Sequence, residues 1–295
     1  MARRNNEDRV GAVPQQQSTA ALSENTTTNN NTGGGLNFVV PTEFIELPSA
    51  GRHYAEAHPL NDQTTIEIKH MTAKEEDILT SRALLKKGIA IDRLLSSIII
   101  NKNIKTHEML VGDKNAVMIA ARVSAYGPEY STRITCPNCG TVNEPEIDLN
   151  EAAKIKNCMH TADHPIEGVR GPTKDGNFLI TLPSTKAVVE VKLMTGADER
   201  KYTERVQFRK KNRQTEANLT DQFKTFVQSI NNVTVMQDVF RYIDNLPVRD
   251  SRFLRTTYSK LTPAVELKHD FVCSGCSFEQ EVEVPITAQF FWPDS

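Results

Sequence analysis

The chain has 295 residues, of which 38% are hydrophobic and 24% are charged, as is typical of a soluble globular protein. Its net charge of −2 creates no overall field that would attract nucleic acid or an anionic membrane. No apolar run approaches the roughly 20 residues of a membrane-spanning helix, so we expect no membrane span and, at the arginine-containing N-terminus, no secretory signal. The length predicts about two domains, and the odd number of cysteines indicates a reducing compartment.

Residues 1–36 are predicted to form a disordered arm. They contain a glutamine run at 15–17, a stretch rich in asparagine and threonine, and three consecutive glycines at 33–35. Such polar segments bury too little apolar surface to offset the entropy lost on ordering. Two interpretations stay open: a flexible tail, or an arm that becomes ordered when it meets a partner subunit.

Residues 37–128 are predicted to form a small α+β unit. Alternating side chains predict a strand over 64–70. Thr72, with Glu75 three positions later, matches the capping box of a helix that would run to residue 86 or 87 and stop at Gly88.

Two further helices are predicted in this unit. One would begin near Asp113 and end at Gly127. The other shows the spacing of a core-facing helical stripe, formed by Ile91, Leu94, Leu95, Ile98 and Ile99.

Two C-x-x-C pairs follow, Cys136 with Cys139 and Cys273 with Cys276. Each lies between segments that alternate with the period of a β-strand, so each is predicted to sit at the tip of a β-hairpin. Two such knuckles facing each other would place four thiolates in a tetrahedron, the usual ligand set of a structural zinc ion. A closed shell of this kind leaves no position for water or substrate, which predicts an architectural rather than a catalytic metal.

The long separation of the two pairs leaves alternatives open. Pairs in ribbon-type sites usually lie roughly 15–20 residues apart, so an inserted unit must separate these two. The alternatives are two unrelated pairs of reduced cysteines or a thioredoxin-like redox pair. The redox interpretation is disfavoured because neither pair opens a helix after a strand.

Residues 151–177 are predicted to be a linker loop, after a short helix capped by Asp148. Cys158, His160 and His164 could form a metal cluster, but the composition around them favours a polar loop with one spare thiol. Exchange of Cys158 into the zinc shell stays possible and would leave another cysteine without metal.

Residues 178–262 are predicted to be the inserted unit, with a hairpin formed by 178–182 and 187–193 and several helices after it. One helix would begin at Pro247. Another is predicted from a stripe made by Phe223, Phe226, Val227 and Ile230.

A basic stretch over residues 200–213 is the best candidate for a nucleic-acid surface, but it has few aromatic side chains and its charge is diluted by glutamates. A solvated helix face, or a face that meets an acidic subunit, is the favoured interpretation. Its candidate contacts are Arg209, Lys210 and Lys211.

The last apolar segment holds Phe290, Phe291 and Trp292, the single tryptophan of the chain. These residues could anchor the segment in the protein's own core. Alternatively, they could form an exposed aromatic contact for a neighbouring subunit, because tryptophan and phenylalanine contribute strongly to interfaces.

The predicted elements together make an α+β fold. Its centre is a split four-cysteine zinc ribbon over residues 129–150 and 263–295, with the N-terminal α+β unit on one side and the hairpin-plus-helices unit inserted. The sequence contains no phosphate-binding glycine loop, no nucleophile elbow and no H-E-x-x-H helix, so we expect no enzyme activity.

Several segments resemble the baseplate hub and hub-assembly proteins of T-even-type contractile-tailed bacteriophages. They are residues 39–49 and 65–79, the two knuckles, residues 250–253 and residues 290–293. The resemblance implies a subunit or assembly factor of the virion tail baseplate, built in the host bacterial cytoplasm, whose partners are other baseplate or hub proteins. It implies neither catalytic residues nor a small-molecule substrate.

The cysteine pattern predicts a zinc-stiffened protein, and the resemblance implies that it is a structural or assembly component of a baseplate hub. The alternative is a zinc-ribbon factor that binds nucleic acid through the basic stretch. A metalloenzyme would require fewer than four thiolates and a water on the zinc.

Overall fold

A computed structural model describes residues 39–213, 218–286 and 290–291 of the chain. The predicted arm over residues 1–36 and the side chain of Trp292 lie outside the described residues. From Thr42 onward the described chain belongs to one compact unit, and residues 39–41 belong to a separate one.

The N-terminal part of this unit contains a two-stranded sheet and helices. Strand β1 (Thr42–Glu46) pairs antiparallel with β2 (Thr65–Lys69), as alternation predicts for the second strand. The helices that follow are α1 (Ala73–Thr80), α2 (Arg82–Lys86), α3 (Ala90–Ile98) and α4 (Val111–Tyr126).

The capping box at the start of α1 is confirmed, since the side chains of Thr72 and Glu75 bond each other's backbone. The prediction of one helix up to residue 86 or 87 was wrong, because the chain breaks at Ser81, whose backbone is extended with ψ of 105°. The Thr80 hydroxyl bonds back to the carbonyl of Glu76 at 3.1 Å. Hydroxyl side chains at such positions compete with helical hydrogen bonds, which favours a helix end.

The two other predicted helices are confirmed. Helix α3 buries Leu94, Leu95 and Ile98. Helix α4 begins two residues before Asp113 and ends at Tyr126, followed by Gly127, whose φ of 84° is left-handed. Glycine adopts that conformation without a side-chain clash.

The chain then enters the first hairpin and the predicted linker. Its elements are β3 (Glu129–Ser131), β4 (Ile134–Thr135), β5 (Val142–Asn143), β6 (Glu146–Asp148), α5 (Leu149–Ala152), β7 (Ala153–Lys156) and β8 (Val169–Arg170). Strand β3 pairs with β6, and β4 with β5, so the predicted hairpin is confirmed. Residues 151–177 are not a plain loop, because β7 and β8 each join a sheet.

The inserted region combines one sheet with helices. Its elements are β9 (Phe178–Thr181), β10 (Val188–Val191), α6 (Gly196–Lys211), α7 (Asn218–Phe226), β11 (Val227–Ile230), α8 (Met236–Asp244) and α9 (Val248–Leu261). The strands lie in the order β11-β10-β9-β8. The β9–β10 hairpin and the helix beginning after Pro247 were both predicted and are confirmed.

The helical stripe predicted through Val227 and Ile230 was partly wrong. Helix α7 ends at Phe226, and the next four residues pair with β10 as strand β11. Val227, Ser229 and Ile230 are all buried. A strand covered on both faces shows little alternation, so periodicity does not distinguish it from a helix.

The second hairpin consists of β12 (Ala264–Val272) and β13 (Glu279–Glu283), and β12 lies between β13 and β7 in a three-stranded sheet. One hydrophobic core takes side chains from all three predicted units, among them Leu94, Phe178 and Phe271. The exact boundaries of those units stay a prediction. In the described ranges, no helix is both long and apolar enough to cross a membrane.

Candidate metal centre

The four cysteines of the two C-x-x-C pairs meet at one point. The Sγ atoms of Cys136, Cys139, Cys273 and Cys276 all lie within 4.8 Å of one another. Sulfur–sulfur distances across the two knuckles include 3.8 Å for Cys136 with Cys276 and 3.5 Å for Cys139 with Cys273. Tetrahedral zinc with Zn–S bonds of about 2.3 Å requires sulfur atoms about 3.8 Å apart. The predicted convergence is therefore confirmed and the cage has the size that zinc needs, while metal ligation by these residues stays a prediction.

The two knuckles share one backbone design. The N–H of the first cysteine donates to the carbonyl five residues later, at 2.9 Å from Cys136 to Thr141 and at 2.9 Å from Cys273 to Phe278. These bonds close each hairpin directly behind its cysteines. Both thiols of a pair therefore point to the same side of the hairpin tip.

A left-handed residue follows the second cysteine of each knuckle. Gly140 has a φ of 74° and Ser277 has a φ of 54°. Their N–H groups donate to the carbonyls of Cys136 and Cys273, at 2.9 Å in both cases. Glycine adopts this conformation freely, whereas serine does so with some strain.

Each knuckle has one buried and one exposed cysteine. Cys136 and Cys273 are buried and belong to the hydrophobic core, while Cys139 and Cys276 are exposed. The centre thus lies at the surface with one side fixed to the core. A metal held there would attach both hairpin tips to that core.

The surroundings shift the thiol pKa values in different directions. Hydrogen bonds from the hydroxyl and N–H of Thr141 lower the pKa of Cys139 to about 6. Burial raises the pKa of Cys273, but the N–H groups of Gly275 and Cys276 outweigh it, so that the net shift is downward. Burial raises the pKa of Cys136 to about 11. Because metal binds thiolates, occupation of this cage would release protons and weaken as the pH falls.

Sequence reasoning missed the residue that connects the knuckles, Asn143. Its side chain bonds Ser274 in the second knuckle and approaches the sulfur of Cys273. A single asparagine in a short hairpin gives no signal in the sequence, since its partners lie about 130 residues away.

The candidate partner residues on α6 differ in whether they already contact other side chains of this chain. Arg209 is engaged with Asp221, its Nε lying 2.6 Å from a carboxylate oxygen, and Asp221 is buried. Lys210 and Lys211 are exposed at the end of the helix. Part of the basic stretch therefore stabilises the fold, and the predicted partner contacts stay a prediction.

The two C-terminal phenylalanines occupy the core. Phe290 and Phe291 are buried, and the ring of Phe290 packs edge-on against Tyr130 at a centroid distance of 5.3 Å. The Tyr130 hydroxyl donates to the carbonyl of Pro285 at 2.9 Å. For Phe290 and Phe291, the structure therefore agrees with the first of the two interpretations, an anchor in the protein's own core.

The region around Cys158 does not form a second metal cluster in the described chain. The Nδ1 of His160 accepts a hydrogen bond from the N–H of Ile166 at 3.0 Å. Cys158 lies 3.6 Å from the carbonyl of His160. His160 therefore stabilises the loop that contains it through this hydrogen bond.

No curated protein and no solved structure matches the chain. A protein family described as "T4 bacteriophage base plate protein" matches residues 42–292. This range includes both knuckles and nearly all of the segments that carry the resemblance. The chain belongs to this family of phage baseplate proteins.

Proposed function

We propose that this chain is a zinc-stiffened structural or assembly component of the tail baseplate hub, which binds other baseplate proteins. The proposal is carried by the cage of four thiols that joins two hairpins remote in sequence. Membership of a baseplate family supports a structural role in the virion tail. Assembly in the host bacterial cytoplasm, where thiols stay reduced, suits a thiolate site.

Zinc is the metal that this cage favours. Thiolate ligands select soft or borderline ions, and four sulfurs in a tetrahedron are typical of zinc or an iron–sulfur centre. When bound, zinc supplies no chemistry beyond cross-linking here, because a closed shell has no position for a substrate. The ion would hold β4 and β5 against the end of β12.

Partner contacts are proposed on exposed groups near the end of α6 and on the C-terminal segment. Lys210 and Lys211 offer two positive charges in solvent, which fit an acidic surface of a neighbouring subunit. Trp292 is the proposed aromatic contact. The nucleic-acid alternative is weakened because Arg209 and Arg200 are engaged in ion pairs within the chain.

The test combines metal analysis with phage assembly. The purified protein is expected to contain one zinc per chain, and Cys273→Ser is expected to lose it, while Cys158→Ser is the matched control that keeps it. In an infection supplied with Cys273→Ser, we expect fewer complete tails, and mass spectrometry of wild-type baseplates is expected to detect this chain. A metal-free wild-type protein that assembles normal tails would overturn the proposal.

A second measurement addresses the alternative. Titration with DNA at low and moderate salt is expected to show no binding. A steep fall of affinity with salt would support the nucleic-acid function instead.

A further inference from the structure

We propose that Asn143 is the positioning residue that joins the two knuckles around the metal, so that its side chain controls how fast the metal leaves. This inference rests on the proposed zinc site. Asn143 is not one of the four cysteine ligands. It belongs to the first hairpin and contacts Cys273, which belongs to the second.

The oxygen of the Asn143 amide is directed at the second knuckle. Its Oδ1 accepts a hydrogen bond from the N–H of Ser274 at 2.9 Å and another from the Ser274 hydroxyl at 2.7 Å. Ser274 lies between the two cysteines of that knuckle. The first hairpin thus holds the second one by its tip.

The nitrogen of the same amide is directed at acceptors. Asn143 Nδ2 donates to the carbonyl of Thr141 at 3.1 Å, within its own knuckle, and lies 3.7 Å from the Sγ of Cys273. With donors facing the oxygen and acceptors facing the nitrogen, one orientation of the amide satisfies every contact. Aspartate would lose both donors and bring a carboxylate close to a thiolate.

The knuckles approach closely at this place. A methyl group built on Gly275 would lie only 2.8 Å from the Thr141 hydroxyl oxygen. Hydrogen bonds that span such a contact resist the separation of the hairpins, and separation is the movement that exposes sulfur atoms to a competing ligand. Residues that orient metal ligands in this way typically change metal affinity about 10- to 100-fold when they are replaced.

Asn138 provides a matched control. It is also an asparagine of the first knuckle, and its Nδ2 lies 3.6 Å from the Sγ of Cys276 in the second. It is exposed, and among the described residues its side chain makes no other hydrogen bond. It therefore reaches the second hairpin by one long contact to a sulfur and lacks the two hydrogen bonds from Ser274 that Asn143 accepts.

The experiment uses the full chain loaded with zinc, and follows metal transfer to a chromogenic chelator. Asn143→Ala is expected to release zinc about 10- to 100-fold faster than the wild type. Asn143→Asp is expected to be at least as fast, and Asn138→Ala is expected to stay near the wild-type rate. Ser274→Ala removes one of the two hydrogen bonds to Oδ1, so its rate of zinc release should lie between those of Asn138→Ala and Asn143→Ala.

Two further readouts separate positioning from unfolding and from loss of a ligand. The cobalt-substituted variants should keep the absorption of a four-thiolate site, and circular dichroism should match the wild type. Equal release from the wild type and Asn143→Ala, with both holding one zinc, would overturn the role of Asn143. A wild type that binds no zinc would instead overturn the proposed metal site itself.

Discussion

Glu75 is a buried carboxylate whose ionisation should stabilise the N-terminal part of the fold. It has no solvent exposure, and its oxygens accept hydrogen bonds from Lys69 at 2.7 Å, from Ser97 at 2.7 Å and from the N–H and hydroxyl of Thr72 at 3.1 and 2.5 Å. Burial alone would raise its pKa. The hydrogen bonds, led by that of Lys69, outweigh burial and lower the pKa from 4.5 to about 2.

The lowered pKa corresponds to a free energy of unfolding that depends on pH. Each pH unit of difference between folded and unfolded chains corresponds to about 1.4 kcal/mol, so the shift of Glu75 corresponds to about 3 kcal/mol. Because the folded pKa is the lower one, this stabilisation is complete above about pH 5. It is lost as the pH falls through 4.5 towards about 2.

The variant Glu75→Gln tests this expectation, since glutamine has nearly the same shape but does not titrate. Urea unfolding at several pH values from 7 to 3 should show the wild type more stable by about 3 kcal/mol at neutral pH, with the gap shrinking as the pH falls. Glu76→Gln is the control, because Glu76 is exposed on the same helix. A gap that is equally large at pH 7 and pH 3 would refute the electrostatic reasoning.

Three other changes test the packing, the buried polar groups and the metal. Gly112→Ala should lower the free energy of unfolding by about 1–3 kcal/mol in a urea titration, because its methyl group would clash with the carbonyl oxygen of Pro263. A variant as stable as the wild type would contradict this close approach. Asp113→Ala should lower the free energy of unfolding by about 3 kcal/mol in the same assay, because the buried N–H of Ser49 and the hydroxyl of Tyr54 would lose their acceptor. A loss no larger than that of a surface substitution would contradict this expectation. Removing the metal with a chelator should speed amide hydrogen exchange at the knuckles, but not in the part of β12 that pairs with β7. Equal acceleration along all of β12 would contradict this and show that the metal stabilises the whole strand.

Each knuckle of the cage could be predicted from the sequence because its signal is local. Each cysteine pair lies inside a hairpin whose alternation is visible in the sequence, and thiols at this spacing have few other uses. The capping box of Thr72 and Glu75 was predictable for the same reason. Within each knuckle and in the capping box, the residues that carry the signal are only a few positions apart, whereas the meeting of the two knuckles was inferred from their matching motifs.

Other features depend on contacts that the local pattern does not contain. Strand β11 follows directly on α7 because β10 pairs with it, and strand β7 exists because β12 lies beside it. The role proposed for Asn143 depends on Ser274, which only the folded chain brings within 2.9 Å. Sequence periodicity therefore identified the elements with strong local patterns and missed those defined by a distant partner.

The position of the cage explains why a bound metal would be useful in this fold. Strand β12 is held at its start by β7 and by α4, which packs against it closely enough to require Gly112. The other end of β12, near the knuckle, pairs only with β13 among the described strands. The tip of the first hairpin is held by a pairing of two residues in β4 with two in β5. Isolated two-stranded pairings are marginally stable in water.

Four thiolates around one ion would replace the hydrophobic core that such a small tip has no room to build. Zinc sites in small domains supply folding free energy in this way. A metal in this cage would have a closed shell of four thiolates, so it would fix the shape of the hairpin tips rather than bind a substrate. A tip of fixed shape is what a baseplate subunit needs if its neighbours are to recognise the same surface in every copy.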